Sequence, residues 1–253
     1  MELKKHICRQ LVEKGRAFTQ ITLDDDYIVR DNKPDVVRVI YSRGDIRLED
    51  TKTGNQVVWI TGKLHFSTLY QSDNDSRKLD ELEGDIPFQE KLIIDNLVET
   101  DEVSVDVNLE DLSVGIINSR KLVVRAVLSI SAISCDEVEQ EISCCVSEDA
   151  DYEEKAKEIE TLCLVETKKD VLRMQKELLL PNVRTNIGEL VFYQVDFRNQ
   201  DIVLKEDGIR VQMDAQIWVL YKSESTGEYE YFETTVPLSG EIDTVMLTQT
   251  EVF

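Results

Sequence analysis

The feature that most constrains this chain is an internal repeat. Asp45 through Ser72 aligns without a gap on the stretch 151 positions later: Asp45 on Asp196, Arg47 on Arg198, Leu69-Tyr70 on Leu220-Tyr221, and Ser72 on Ser223. Upstream, Pro34-Asp35-Val36-Val37-Arg38 aligns with Thr185-Asn186-Ile187-Gly188-Glu189, and downstream Ile86-Pro87-Phe88 meets Val236-Pro237-Leu238 after a one-residue slip. A chain of 253 residues that repeats itself at this spacing is expected to fold as two like units.

What repeats is a strand pattern. In the first copy Val58, Ile60, Leu64, Phe66 and Tyr70 share one parity, and Thr61, Lys63, His65 and Ser67 take the other. In the second copy Ile209, Val211, Met213, Ala215, Ile217, Val219 and Tyr221 fall on the equivalent parity, opposed by Arg210, Gln212, Asp214, Gln216 and Lys222. Side chains alternate across a strand, so this pattern predicts a long antiparallel strand with one buried face in each copy. A slip of one residue would expose the whole apolar set, which fixes the register. Turn residues precede both strands: Thr53-Gly54-Asn55 and Glu206-Asp207-Gly208. Val103, Val105, Val107 and Leu109 alternate in a further strand, and Leu122 through Ala132 in another, after a turn at Asn118-Ser119.

The expected fold is therefore mainly β: tandem antiparallel β-sandwich-like units joined by an acidic linker. The boundaries read as a first unit over 1–146, a linker over 147–160 with a short helix as an option, and a second unit over 161–253. The second unit reads as incomplete, because the repeat places Phe253 opposite residue 102. Counterparts of the Val103–Leu109 and Leu122–Ala132 strands are then missing. Either the sequence is a piece of a longer protein, the preferred reading, or unit two borrows a strand from elsewhere.

Charge narrows the function. Against 29 basic residues stand 51 acidic ones, a net charge of -22. Nucleic acid and anionic lipid are gripped through Lys and Arg, so neither is an expected partner. The longest apolar runs, such as Val57-Val58-Trp59-Ile60, are far too short to span a bilayer, and no secretory leader is visible, so a cytoplasmic address is expected. Cys8, Cys135, Cys144, Cys145 and Cys163 form neither a disulfide framework nor a zinc pattern and read as reduced structural thiols.

No catalytic set emerges. His6 and His65 are the only histidines, and no GxSxG elbow accompanies them. Gly62-Lys63 is followed by Leu64 where a phosphate-binding loop needs Ser or Thr. Asp24-Asp25-Asp26 lacks calcium-loop spacing and reads as a solvated acidic loop. The expectation is a non-enzyme with no cofactor and no metal site. Trp59 and Trp218, on the mostly polar parity of the long strands, are candidate interaction residues, with burial against a second sheet or between units as the alternative. Tyr229, Tyr231 and Phe232, interleaved with Glu228, Glu230 and Glu233, form a second candidate patch. The chain reads as a protein-binding scaffold, with a carbohydrate or cell-wall binding module as the runner-up, since outward Trp59 and Trp218 could stack sugars.

Several segments together resemble a known family. They are Lys33-Pro34-Asp35-Val36-Val37-Arg38-Val39-Ile40, Val57 to Tyr70, Asp85-Ile86-Pro87-Phe88, and Asn118-Ser119-Arg120-Lys121-Leu122-Val123-Val124-Arg125-Ala126-Val127-Leu128, with a second start at Pro181 and Asn186-Ile187-Gly188-Glu189-Leu190. This order resembles the SipL-like spore-coat proteins of Clostridia that carry tandem DUF3794 (SPOCS) domains. The resemblance implies a role in endospore coat assembly, in the mother cell at the forespore surface. It implies partners among coat morphogenetic proteins, such as the SpoIVA basement-layer ATPase, and leaves self-association open. In the best-known member a LysM domain makes the SpoIVA contact, and this sequence has no LysM counterpart. The family offers no catalytic residues to carry over.

Overall fold

The computed structural model describes residues 3–146, 171–178, 186–205 and 208–244. Among them every regular element is a strand: β1 (Leu3–Ile28), β2 (Val36–Gly54), β3 (Val57–Ser72), β4 (Leu79–Ile93), β5 (Glu102–Asn118), β6 (Lys121–Val146), β7 (Ile187–Leu204), β8 (Gly208–Ser223) and β9 (Tyr229–Asp243). The expected acidic linker at 147–160 and the turn residues Glu206 and Asp207 lie outside the described residues.

All pairings are antiparallel, in three sheets of three strands: sheet A with the order β1-β6-β5, sheet B with β2-β3-β4, and sheet C with β7-β8-β9. Sheets A and B lie face to face. Val58, Ile60, Leu64 and Phe66 of β3 and Ile86, Phe88 and Leu92 of β4 pack with Val124, Ala126, Leu128, Ile130 and Ala132 of β6 in one buried cluster. The alternation read from the sequence thus points every second residue of β3 and β6 into one core. Strand β1, which the sequence reading did not assign, completes sheet A with Ala17, Ile21, Leu23 and Tyr27 against that core. Its first part outruns β5, so residues 3–12 and 136–146 form a two-stranded arm beyond the sandwich.

Sheet C repeats sheet B. Strand β8 begins and ends 151 positions after β3, and β9 begins and ends 150 positions after β4. The slip sits in the connecting turn, closed by Ser72 N–H to Lys78 C=O in the first copy and by Ser223 N–H to Glu228 C=O in the second, one residue sooner. Irregularities repeat as well. The register shifts at Val36/Arg38 and Val39/Tyr41 recur at Ile187/Glu189 and Leu190/Phe192. Pro87 and Pro237 both lie on edge strands, where a missing N–H leaves no ladder bond unmade.

Packing within the two repeated sheets is compensated pair by pair. A Cβ on Gly62 would come within 2.6 Å of Phe88, one on Gly84 within 2.6 Å of Phe66, and one on Gly44 within 2.8 Å of Leu64. In sheet C the corresponding pairs are Met213 with Leu238, Thr234 with Ile217, and Val195 with Ala215. At these three positions the glycine gains a side chain and its large neighbour shrinks, so the site is still filled, as close-packed interiors demand.

The repetition stops at the covering sheet. Among the described residues no strand stands over sheet C as β5 and β6 stand over sheet B. Only 171–178 approach its inner face: Leu172 packs on Gly240, and Lys176 Nζ donates to the Pro237 carbonyl at 3.2 Å. This is the place β1 takes in the first copy. Leu172 follows Ile21 by the repeat offset, and Ile21 lies between Gly15, beside Ile94, and Tyr27, whose hydroxyl donates to the Glu83 carbonyl at 2.8 Å.

Candidate interaction surfaces

Four local arrangements bear on what the molecule can hold. The first is the contact between sheets B and C. Leu69 from β3, Val191 and Phe192 from β7 and Leu220 from β8 form a buried cluster, with Leu79, Trp218 and Tyr229 packed against it. The Tyr41 and Phe192 rings meet edge to face at 5.8 Å. Around the rim Arg77 pairs with Glu189, Lys222 Nζ donates to the Ser76 carbonyl at 2.8 Å, and Leu79 N–H donates to the Tyr229 hydroxyl at 3.1 Å. Glu189 raises the already high pKa of Arg77 through its hydrogen bond. Leu69 and Leu220, Tyr41 and Phe192, and Leu79 and Tyr229 are equivalent positions of the repeat, so the sheets meet through the same patch, as in an isologous interface.

The predicted interaction residues are thereby dispersed. Trp218 belongs to the contact between the sheets, wedged beside Phe192 and stacked on Tyr231 at 6.2 Å. Trp59, which the repeat offset places opposite Arg210 and not Trp218, has a different setting: it is 39% exposed and leans on Gly54, with Cζ3 2.7 Å from where a Cβ would stand. Strand alternation splits the second patch. Tyr229 and Tyr231 face the interface side, while Phe232 turns inward to Val219 and Tyr221. The two tryptophans therefore form no matched pair of open platforms of the kind that stacked sugars would need.

The second arrangement joins two of the segments that carried the resemblance. The Asp35 carboxylate accepts the Ser119 hydroxyl at 2.7 Å and Arg120 Nη1 at 3.1 Å. The same guanidinium donates to the carbonyls of Val29, Arg30 and Lys33. Val36 N–H binds the Ser119 carbonyl and Val29 N–H the Arg120 carbonyl, both at 2.9 Å. The β5–β6 turn is thus clasped to the crossover between β1 and β2. The Ser119 hydrogen bond, helped by Arg120, holds the Asp35 carboxyl below the usual range against the opposing effect of desolvation. Nearby, Lys33 and Arg77 converge on buried Asp80 at 2.8 and 3.3 Å, and the Tyr70 hydroxyl donates to the Pro34 carbonyl. Sequence reading saw these motifs only as a resemblance, because their meeting depends on the crossover.

The third comprises the polar groups weighed for chemistry. His65 Nδ1 lies 2.7 Å from Asp85, and that hydrogen bond is the main reason the Asp85 carboxyl titrates low. Asp24 pairs with Arg125 at 2.9 Å and Asp26 with Lys121 at 2.5 Å, across the β1–β6 ladder. The aspartate run expected as an acidic loop is therefore strand, with alternate carboxylates neutralised by the neighbouring strand. Among the described residues no group of three or more metal-binding side chains converges, and no helix is long and apolar enough to cross a membrane.

The fourth is the inner face of sheet C. Tyr193, Val195, Phe197, Ile202 and Leu204 of β7 point there, with the odd-numbered residues Ile209 to Tyr221 of β8 and Phe232, Thr234, Val236, Leu238, Gly240 and Ile242 of β9. None of these carries a charge, and Glu230, opposite Tyr221 on the same side, accepts the Tyr221 hydroxyl at 3.0 Å at one end of the face. Phe197 is 56%, Ile202 66% and Leu204 67% exposed.

Residues 35–117 match the family model for the SipL SPOCS domain. The chain carries a SipL-like SPOCS domain. The match runs from the clasp residue Asp35 through β2, β3 and β4 to the end of β5, and so takes in strands of both sheets of the sandwich. This family connects the chain with sporulation and the spore coat. No curated protein and no solved structure matches the chain significantly.

Proposed function

We propose that the chain is a non-catalytic protein-interaction scaffold in endospore coat assembly, holding coat morphogenetic proteins such as the SpoIVA-type basement-layer ATPase at the forespore surface on the mother-cell side. The SPOCS match over residues 35–117 carries the reading. The molecule's physical character supports it. A repeated β framework docks its two like patches on each other and leaves a largely uncharged sheet face in a chain of net charge -22. Repetition of one module also favours multivalent attachment, in which a second contact forms at high effective concentration.

The test is a tagged chain expressed in sporulating cells. The tagged chain is expected at the forespore surface and to co-purify with named coat proteins after cross-linking. A uniform distribution with no coat protein cross-linked would overturn the proposal.

A further inference from the structure

We propose that the inner face of sheet C is the docking surface for a β-hairpin of the β5–β6 kind, aliphatic on one side, supplied by polypeptide beyond the described residues. The proposal deepens the scaffold reading by naming what one of its surfaces takes, but its geometry stands independently. In the first copy Val58, Ile60 and Leu64 are completely buried, because β5 and β6 cover them. Of their counterparts Ala215 is buried, as are Val219, Tyr221, Phe232 and Val236 on the same face, but Ile209 and Val211 are only half-buried, and Phe197, Ile202 and Leu204 along β7 are open. Three strands about 4.8 Å apart and roughly 45 Å long present several hundred square ångströms of apolar surface, the scale at which exposed patches mark binding sites.

Three observations say what covers the face. First, where sheet B sets a large residue over a glycine, sheet C sets two side chains that fill the same site, which an open surface would not require. Second, residues 171–178 already lie on β9 as β1 lies on β4, so the cover begins in place, and among the described residues the two strands that join β1 in sheet A have no counterpart. Third, the docking point for the hairpin turn is repeated. Asp35, which clasps Ser119 and Arg120, also accepts Asp73 N–H through its carbonyl at 3.2 Å, and Asn186 accepts Glu224 N–H in the same way at 3.0 Å. An Asn at this position offers both a donor and an acceptor to an incoming turn.

The face also dictates the hairpin's shape. Gly44 leaves room for Leu109 and Leu112, whose Cδ2 atoms would lie 2.9 and 3.2 Å from a Cβ there. Val195 stands at the same position of sheet C. The hairpin that fits must therefore carry small residues where β5 has Leu109 and Leu112.

The experiment compares the full chain with a version carrying a second copy of residues 101–146 after Phe253 through a flexible linker, in which Leu109→Ala and Leu112→Ala have been made in the added copy. The readouts are ANS fluorescence, limited proteolysis of β7 and light scattering. The full chain is expected to bind ANS as a monomer. The added hairpin should lower ANS binding several-fold and slow cleavage of β7, while an added copy keeping both leucines should protect less. Phe197→Glu should remove the protection. Unchanged ANS binding with both added hairpins overturns the proposal. So does a full chain that is already a dimer with β7 protected, since a second copy then covers the face. If the hairpin protects but no coat protein is captured in cells, the scaffold reading fails and the docking surface stands.

Discussion

The backbone N–H of Leu79 donates to the hydroxyl of Tyr229 at 3.1 Å, and these two residues open equivalent strands of the repeat. The duplicated sheets thus bind each other through corresponding positions, yet the contact is not symmetric in chemistry. The first copy offers a backbone group where the second offers a phenol. Tyr229→Phe removes the acceptor and leaves a partly buried amide, so sheet C should lose about 0.5–1.5 kcal/mol in urea unfolding. Arg77→Ala and Glu189→Ala in a double-mutant cycle should show a smaller coupling of about 0.2–1 kcal/mol, because both side chains are more than a third exposed.

The tryptophans should separate cleanly. Trp218 packs among Phe192, Leu220 and Tyr231, so Trp218→Ala removes a large part of the sheet–sheet contact and should cost roughly 2–4 kcal/mol. Trp59→Ala, at a half-open site, should cost less than about 1 kcal/mol. Fluorescence of the single-tryptophan variants checks the assignment: Trp218 is expected to emit to the blue of Trp59.

Compensation within the layer gives a third expectation. Gly84→Thr drives a side chain into Phe66 and Tyr27 and should destabilise the sandwich by about 1–3 kcal/mol. Phe66→Ile alone leaves a void. Together they recreate the Thr234–Ile217 pair, so the double variant should be more stable than the sum of the single losses predicts, as thermal unfolding would show.

Two glutamates should pull the pH profile in opposite directions. Burial, the main cause, raises the Glu81 carboxyl above the usual range even though the Ser67 hydroxyl donates to it. The folded state then binds its proton more tightly than the unfolded chain, so this group's contribution to stability declines as pH rises through that window. Glu241 is held down to about 2, first by its hydrogen bond from Lys205 and then by that from Arg210. Its contribution is present above the usual glutamate range and is lost as pH falls toward about 2. Glu81→Gln should therefore raise stability at neutral pH, and Glu241→Gln should flatten the acid limb. Denaturant midpoints measured across the acid and neutral range check both signs.

Arg120 is the fifth case. Its guanidinium donates to the Val29, Arg30 and Lys33 carbonyls and to Asp35, a fan that a point-charge ammonium does not reproduce. Arg120→Ala should cost about 1.5–3 kcal/mol, and Arg120→Lys should recover less than half of that loss. Equal stability of the lysine variant and the wild type would remove the clasp as a structural element.

Much of this architecture was legible along the chain. The parity of Val58 to Tyr70 and of Ile209 to Tyr221 placed the apolar face of β3 and β8 correctly, because alternation is a local property of an extended backbone. The repeat even located the one-residue slip, which the structure assigns to the turn before β9. Strand β1 went unread although Ala17, Ile21 and Leu23 share one parity, because the surrounding polar residues weaken the pattern. The candidate residues were harder to place. Phe232 and Tyr231 are neighbours in sequence but lie on opposite faces of β9, and the unlike settings of Trp59 and Trp218 follow from which sheet lies across from each.

By itself, then, the sequence determined that the chain is β, that it repeats, and which face of each long strand is apolar, because those depend on period-two spacing and turn residues close together in the chain. The tertiary structure alone decided that Asp35 meets Ser119 and Arg120, that Leu79 meets Tyr229, and that strands cover the aliphatic layer of sheet B while no described strand covers that of sheet C. Those relationships join residues from about 80 to 150 positions apart, and only the path of the chain between strands, with the layer it lays over each sheet, brings them together.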